Sequence, residues 1–135
     1  ALSFFIPLLL GAGGNAGTQS STVIIRGLAT DDIKMEDVYQ VIKKELGIGI
    51  IVGSFMAVLG ALMASFLDKD PRLGVTVGIA MVMTVILATT LGAILPMLFK
   101  KLNWDPALMS GPFITSIVDI VSLLIYFKIA LMIFW

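Results

Sequence analysis

The chain has 135 residues, of which 59% are hydrophobic and 13% are charged, and its mean hydropathy is +1.06. This balance is far more apolar than that of a soluble domain and predicts an integral membrane protein. Nine basic and nine acidic residues give a formal net charge of zero, which argues against nucleic acid as a partner. The chain contains no Cys and no His, which excludes thiolate and imidazole catalysis, disulfides and the usual zinc sites. We therefore expect a protein that is not an enzyme and that binds its ligands through oxygen atoms.

Four apolar segments follow one another along the chain, and each has the roughly 20 residues that a helix needs to cross a bilayer. They predict an all-α helical bundle with four spanning helices, at about 2–26, 46–67, 73–99 and 107–135. Apolar residues at helical spacing alternate with charges over about 34–45, a pattern typical of a short amphipathic helix lying in the membrane interface. We treat 1–135 as one transmembrane, ion-conducting domain in the lipid bilayer.

The distribution of basic residues predicts the orientation of these helices. The first and third connections share one side of the membrane and are the richer in basic residues, namely Arg26, Lys34, Lys43, Lys44, Lys100 and Lys101, whereas the middle connection holds Lys69 and Arg72. The Lys-rich side should be cytoplasmic, which places the amino end outside. That orientation, together with a first residue that is not Met, predicts a fifth helix upstream of Ala1.

Asp119 is the only acidic residue within the apolar part of a predicted helix. An ionised carboxylate at this depth costs about 2.5 to 3.5 kcal/mol on insertion scales, so it needs water or a partner. Lys128 lies nine residues further on, on the opposite face and ~13 Å along the axis, and cannot pair with it. Polar or small residues share the face of Asp119, namely Gly111, Thr115, Ser116 and Ser122. This stripe indicates a wet path for a cation; the alternative is a protonated Asp119 that hydrogen-bonds a neighbouring helix.

The first segment carries twelve consecutive small or polar residues, GAGGNAGTQSST, from Gly11 to Thr22. Such a run makes poor contact with lipid tails, so it should be buried or face water. The residues that fall on adjoining faces are Gly14, Asn15, Thr18, Gln19 and Thr22. The pattern fits a pore wall and a tight helix interface equally well. Small residues also recur every four positions at Gly49, Gly53, Ala57 and Ala61, and at Gly74 and Gly78, as expected for helix packing.

Three strings carry a family resemblance: PLLLGAGGNAGTQSSTVIIRGLA, KELGIGIIVG and LGAILPMLFKKLNWDPALMSGPFITSIVDI. They resemble the transmembrane domain of MgtE-type magnesium transporters and channels. The resemblance implies a five-helix domain that forms a homodimer in the cell membrane, multi-pass and expected in a prokaryotic inner membrane. The ion path then lies between the protomers. Family members often add cytoplasmic magnesium-sensing domains, which these residues do not include.

Carried over position by position, the resemblance assigns the metal-binding carboxylate to Asp119. It assigns the polar lining of the pore to Gly14, Thr18, Thr22, Gly111 and Thr115. Two positions depart from the family pattern: many relatives have GNxGNQ where this chain has GNAGTQ, and some have Asn where Gly111 stands. Side-chain amides near the ion are thus replaced by a hydroxyl or by bare backbone.

We expect Mg²⁺ transport through a pore at the homodimer interface, with a partly hydrated ion held by Asp119 carboxylates. A proton- or sodium-coupled carrier and a membrane anchor that transports nothing are the two alternatives. The sequence leaves open whether Mn²⁺, Co²⁺ or Ca²⁺ also binds at the same site.

Overall fold

The computed structural model describes all 135 residues and consists of helices without any strand. Four long helices, α1 (Ile6–Ala29), α2 (Val38–Asp68), α3 (Pro71–Lys101) and α4 (Gly111–Phe134), are joined or preceded by short 3₁₀ turns at Leu2–Phe5, Met35–Asp37 and Pro106–Met109. The predicted all-α fold is confirmed.

The tight connection between α2 and α3 follows from its local sequence. Lys69 ends α2 in a left-handed conformation with φ of 52°. Asp70 then caps α3, because its carboxylate accepts a hydrogen bond of 2.9 Å from the backbone N–H of Arg72. Pro71 occupies the first helical position, where its missing N–H costs nothing. The two 31-residue helices therefore run antiparallel in close contact.

Helix α3 is the centre of the bundle, since it packs against α1, α2 and α4, whereas α1 and α2 touch each other little. Its buried side chains, Met81 and Val85 among them, form the main core with Phe5 and Leu9 at the amino end and with Tyr126 of α4. The Tyr126 hydroxyl donates a 2.8 Å hydrogen bond to the carbonyl oxygen of Leu2. The outer face of α2 is lined by exposed apolar residues such as Ile51, Phe55 and Leu62, as expected for contact with lipid.

Small residues allow α2 and α3 to approach closely, as their four-residue spacing predicted. Gly49 and Gly53 are buried, and a Cβ atom at Gly49 would lie 2.8 Å from the Cα atom of Ile86. Beyond Ala57 the buried seam continues through Gly60 and Ala64, while Ala61 is only half-buried.

Three of the helices, α2, α3 and α4, are long and apolar enough to span a membrane. Helix α1 has 24 residues, but the small and polar run at its centre lowers its hydropathy below that of the other three. The fourth span therefore stays a prediction. The homodimer expected from the family resemblance also remains a prediction.

Two predicted boundaries differ from the structure. The short interfacial helix expected over 34–45 is not separate, because residues 38–45 are the first two turns of the continuous helix α2. Val41 in this segment packs against Ile24, Leu28 and Met97, so the apolar side that suggested a membrane surface contacts the protein instead. The last helix begins at Gly111 rather than at 107, since Ser110 is extended, with ψ of 155°.

Candidate functional site

Asp119 lies on α4, half-buried, at the edge where α4 meets α1. Gly14 of α1 stands directly opposite. A Cβ atom at that glycine would lie 3.8 Å from Oδ1 of Asp119 and 3.1 Å from Cγ2 of Thr115. Because Gly14 has no side chain, the backbone of α1 lies next to the carboxylate. Gly14, Thr115 and Asp119 therefore lie close together within one chain.

The carboxylate of Asp119 has no hydrogen-bond or ion-pair partner in the protein. The neighbouring hydroxyls of Thr115, Ser116 and Ser122 all donate to backbone carbonyl oxygens of α4 itself. Lys128 is exposed and forms no ion pair, and the one ion pair in the chain joins Arg72 to Asp70 at 3.6 Å. Both oxygens of Asp119 therefore remain available to water or to a cation.

Other polar residues of the predicted site extend this surface along the two helices. On α1, Asn15 and Thr22 are exposed and Thr18 is half-buried. On α4, Thr115 donates a 3.0 Å hydrogen bond to the carbonyl oxygen of Gly111, one turn earlier. We call the surface formed by residues 14, 15, 18 and 22 of α1 and by residues 111, 115 and 119 of α4 the polar face.

The other three residues predicted to line the same path have different surroundings. Ser122 is 1% exposed and packs against α1, where a Cβ atom at Gly13 would lie 3.2 Å from its hydroxyl oxygen. Ser116 is exposed on the outer side of α4, and its hydroxyl donates to the carbonyl oxygen of Pro112 at 2.8 Å. Gln19 points the other way, into a cavity of about 300 Å³ between α1 and α2.

Glu45 is a buried polar residue that sequence reasoning missed. The stretch Lys43-Lys44-Glu45 resembles a solvated charged surface, yet the side chain of Glu45 is 5% exposed and accepts a 2.8 Å hydrogen bond from the hydroxyl of Ser20. The spacing of Glu45 relative to small and apolar residues could have indicated that it is buried. Glu45 stands four residues after Val41 and four before Gly49, on the face of α2 that is buried.

Three membrane-length helices, one of which carries the unpaired carboxylate of Asp119, define a multi-pass membrane protein. The family model described as MgtE, divalent cation transporter, matches residues 6–129, and the chain belongs to this family. The resemblance inferred from the three sequence strings is thereby confirmed. Family members of this kind are transporters rather than enzymes.

Relatives in three bacteria support this assignment. The chain is 42% identical over 130 residues to the magnesium transporter MgtE of Thermus thermophilus and 41% identical over 130 residues to that of Bacillus subtilis. It is 40% identical over 131 residues to the magnesium transporter MgtE of Enterococcus faecalis. These matches cover 96%, 96% and 97% of the chain, but only 29% of each relative. The chain thus spans less than a third of the length of the relatives it matches.

Proposed function

We propose that this chain conducts Mg²⁺ across the bilayer along the polar face of α1 and α4, with Asp119 as the residue that binds the ion. The observation that carries the proposal is the carboxylate of Asp119, which lies in a membrane-length helix without a hydrogen-bond donor or a cationic partner. Leaving such a group uncompensated is costly, so its natural partner is a cation supplied from outside the protein. The relatives' name, magnesium transporter, supports Mg²⁺ as this cation.

The donor set suits a hydrated ion. Mg²⁺ requires octahedral coordination by oxygen and loses its waters reluctantly. The chain has no cluster of three or more acidic side chains that could replace the water molecules around the ion. One carboxylate with Thr115 one turn away favours recognition of an ion through its water shell, by hydrogen bonds and by charge.

The exposure of the polar face supports an assembly of two copies. Asn15 and Thr22 present polar side chains at the surface of the helix bundle, where lipid tails offer no hydrogen bonds. A homodimer with the two polar faces opposed would shield them from lipid and place two Asp119 carboxylates across a common path. Cytoplasmic magnesium-sensing domains, as part of a longer protein, would then control this path.

The test is Mg²⁺ uptake into proteoliposomes that contain the full-length protein, followed with a magnesium-sensitive dye. Asp119→Asn keeps the side-chain volume but removes the charge, and we expect it to abolish uptake. Asp68→Asn is the matched control, because Asp68 is an exposed carboxylate at the end of α2. Equal uptake by both variants would remove Asp119 from the ion path. Uptake that requires an imposed proton or sodium gradient would instead indicate a coupled carrier.

A further inference from the structure

Glu45 is the one acidic side chain that the fold buries almost completely, at 5% exposure. No lysine or arginine lies within ion-pair distance of it, although Lys44 is its neighbour in sequence. Burial of a carboxylate without a cationic partner is expensive, so hydrogen bonds must offset the loss of water. The burial of Glu45 therefore indicates a role that differs from that of an exposed charge at a helix end.

Its contacts join three helices. The hydroxyl of Ser20 on α1 lies 2.8 Å from Oε2 of Glu45 and also 2.8 Å from the backbone carbonyl oxygen of Thr89 on α3. The hydroxyl of Thr89 in turn donates to the backbone carbonyl oxygen of Glu45 at 3.0 Å. We call these three residues the polar clamp.

The clamp is one of two buried polar contacts that hold this part of α1; the other is the 2.8 Å hydrogen bond from the Ser21 hydroxyl to the carbonyl oxygen of Met109. Cavities of about 330 and 300 Å³ separate α1 from α2 on either side of Glu45, and the Ser20–Glu45 bond is the only side-chain hydrogen bond between these two helices. On its other side α1 meets α3 through bare backbone, since a Cβ atom at Gly92 would lie 2.5 Å from the carbonyl oxygen of Gly17. Glycine contacts of this kind permit close approach but do not fix rotation or register.

Ser20 stands between the two parts of α1 that face the ion path. Thr18 and Thr22 lie two residues before and after it on the polar face, and Gly14 stands opposite Asp119 less than two turns earlier. A helix is stiff over such a distance, so a rotation at Ser20 also moves the polar face relative to Asp119.

We propose that Glu45 is a positioning residue for ion transport, which acts through Ser20 to set the rotation of α1 and thus the geometry of the polar face beside Asp119. This inference rests on the proposed function. It assigns to Glu45 a role through its hydrogen bond and not through its charge.

Two substitutions at Glu45 separate these roles, and both are tested in full-length protein in proteoliposomes. Glu45→Gln removes the charge but keeps a carbonyl oxygen that can accept from Ser20, whereas Glu45→Leu removes both. We expect Glu45→Leu to change the half-saturating Mg²⁺ concentration, or the preference for Mg²⁺ over Ca²⁺, by about fivefold, the factor that one hydrogen bond is worth. The half-saturating Mg²⁺ concentration and the ion preference of Glu45→Gln should stay within about twofold of the values for the natural sequence, because the hydrogen bond from Ser20 can still form.

A second pair on α3 gives an answer even if Glu45→Leu does not fold. Thr89→Val removes the hydroxyl that donates to the backbone carbonyl oxygen of Glu45 and so holds this turn of α2 against α3, while Thr90→Val removes only a bond within α3, to the carbonyl oxygen of Ile86. Thr89→Val should shift the half-saturating concentration in the direction of Glu45→Leu, and Thr90→Val should not. All variants are compared at equal amounts of folded dimer, because a loss of stability alone lowers the amount of active protein without altering ion preference.

The outcomes distinguish the two proposals. If the natural sequence transports Mg²⁺ but Thr89→Val and Glu45→Leu leave affinity and ion preference unchanged, the positioning role is wrong and the proposed function stands. If Glu45→Gln is as defective as Glu45→Leu, Glu45 acts through its charge, which also overturns the inference. If the natural sequence does not transport Mg²⁺, the proposed function itself fails, and this inference fails with it.

Discussion

Small residues on α1 have two different functions on two faces of the helix. Gly13, Gly17 and Ser21 are buried against α3 and α4, whereas Asn15 and Thr22 are exposed. The run from Gly11 to Thr22 fitted a pore wall and a tight interface equally well when only the sequence was considered. In the structure, one face of α1 packs against the other helices and the other face is polar and exposed, which the helical period allows.

The packing face is most sensitive at Gly92, where α1 and α3 meet through their backbones. Gly92→Ala would place a Cβ atom against the carbonyl oxygen of Gly17 and the N–H of Ser21, neither of which can move freely. We expect a loss of about 1–3 kcal/mol of stability, seen as a lower thermal unfolding temperature in detergent. Gly47→Ala is the control, because nothing lies within 4 Å of its Cβ position and alanine favours a helix. Equal unfolding temperatures for the two variants would contradict this account of the interface.

The sequence located Asp119 because a lone acid in an apolar run is conspicuous, and the structure places it beside Gly14 and Thr115. The sequence did not show that Ser122 is buried against α1 or that Glu45 is buried. Both depend on which neighbouring helix covers a given face, and hydropathy along one chain contains no information about that neighbour.

At the scale of helices, the predicted spans agree with the structure to within a few residues at most ends. The main difference is α2, which continues from Val38 without a break where a separate interfacial helix was expected. A helix lying on a membrane and a helix packed on protein show the same amphipathic period. Only the contact of Val41 with Ile24 and Met97 distinguishes them.

The carboxyl end of α1 is joined to α3 by a lysine. The Nζ atom of Lys100 donates a 3.1 Å hydrogen bond to the carbonyl oxygen of Leu28, in the last turn of α1, where a positive charge also interacts favourably with the helix dipole. Lys100→Met keeps the apolar stem and should cost about 1 kcal/mol of stability. Lys101→Met changes an exposed neighbour without a side-chain hydrogen bond and should stay within about 0.5 kcal/mol. Thermal unfolding of the two variants tests this; a larger loss for Lys101→Met would contradict it.

At the scale of the whole molecule, the chain presents two kinds of surface. The outer side of α2 is apolar, with residues such as Phe55 and Leu62 exposed, and suits lipid. The polar face of α1 and α4 does not suit lipid, and it contains Asp119, a carboxylate without a hydrogen-bond or ion-pair partner within the apolar part of α4. Family membership and the relatives' name agree with transport of Mg²⁺, and the proposed path along this face requires that Asp119 binds that ion.

Protection of a single thiol by Mg²⁺ tests this claim most directly. These 135 residues contain no Cys, so Thr115→Cys introduces a thiol one turn from Asp119 and Asn103→Cys gives an exposed control outside the site, each in a background in which any Cys in the rest of the full-length protein is replaced by Ser. In the full-length protein, Mg²⁺ should slow modification of Thr115→Cys by a water-soluble thiol reagent in proportion to occupancy of the site. It should leave Asn103→Cys unaffected, and the protection should disappear when Asp119→Asn is added. Protection that persists without the Asp119 carboxylate would contradict the account, because the ion would then be bound by other groups.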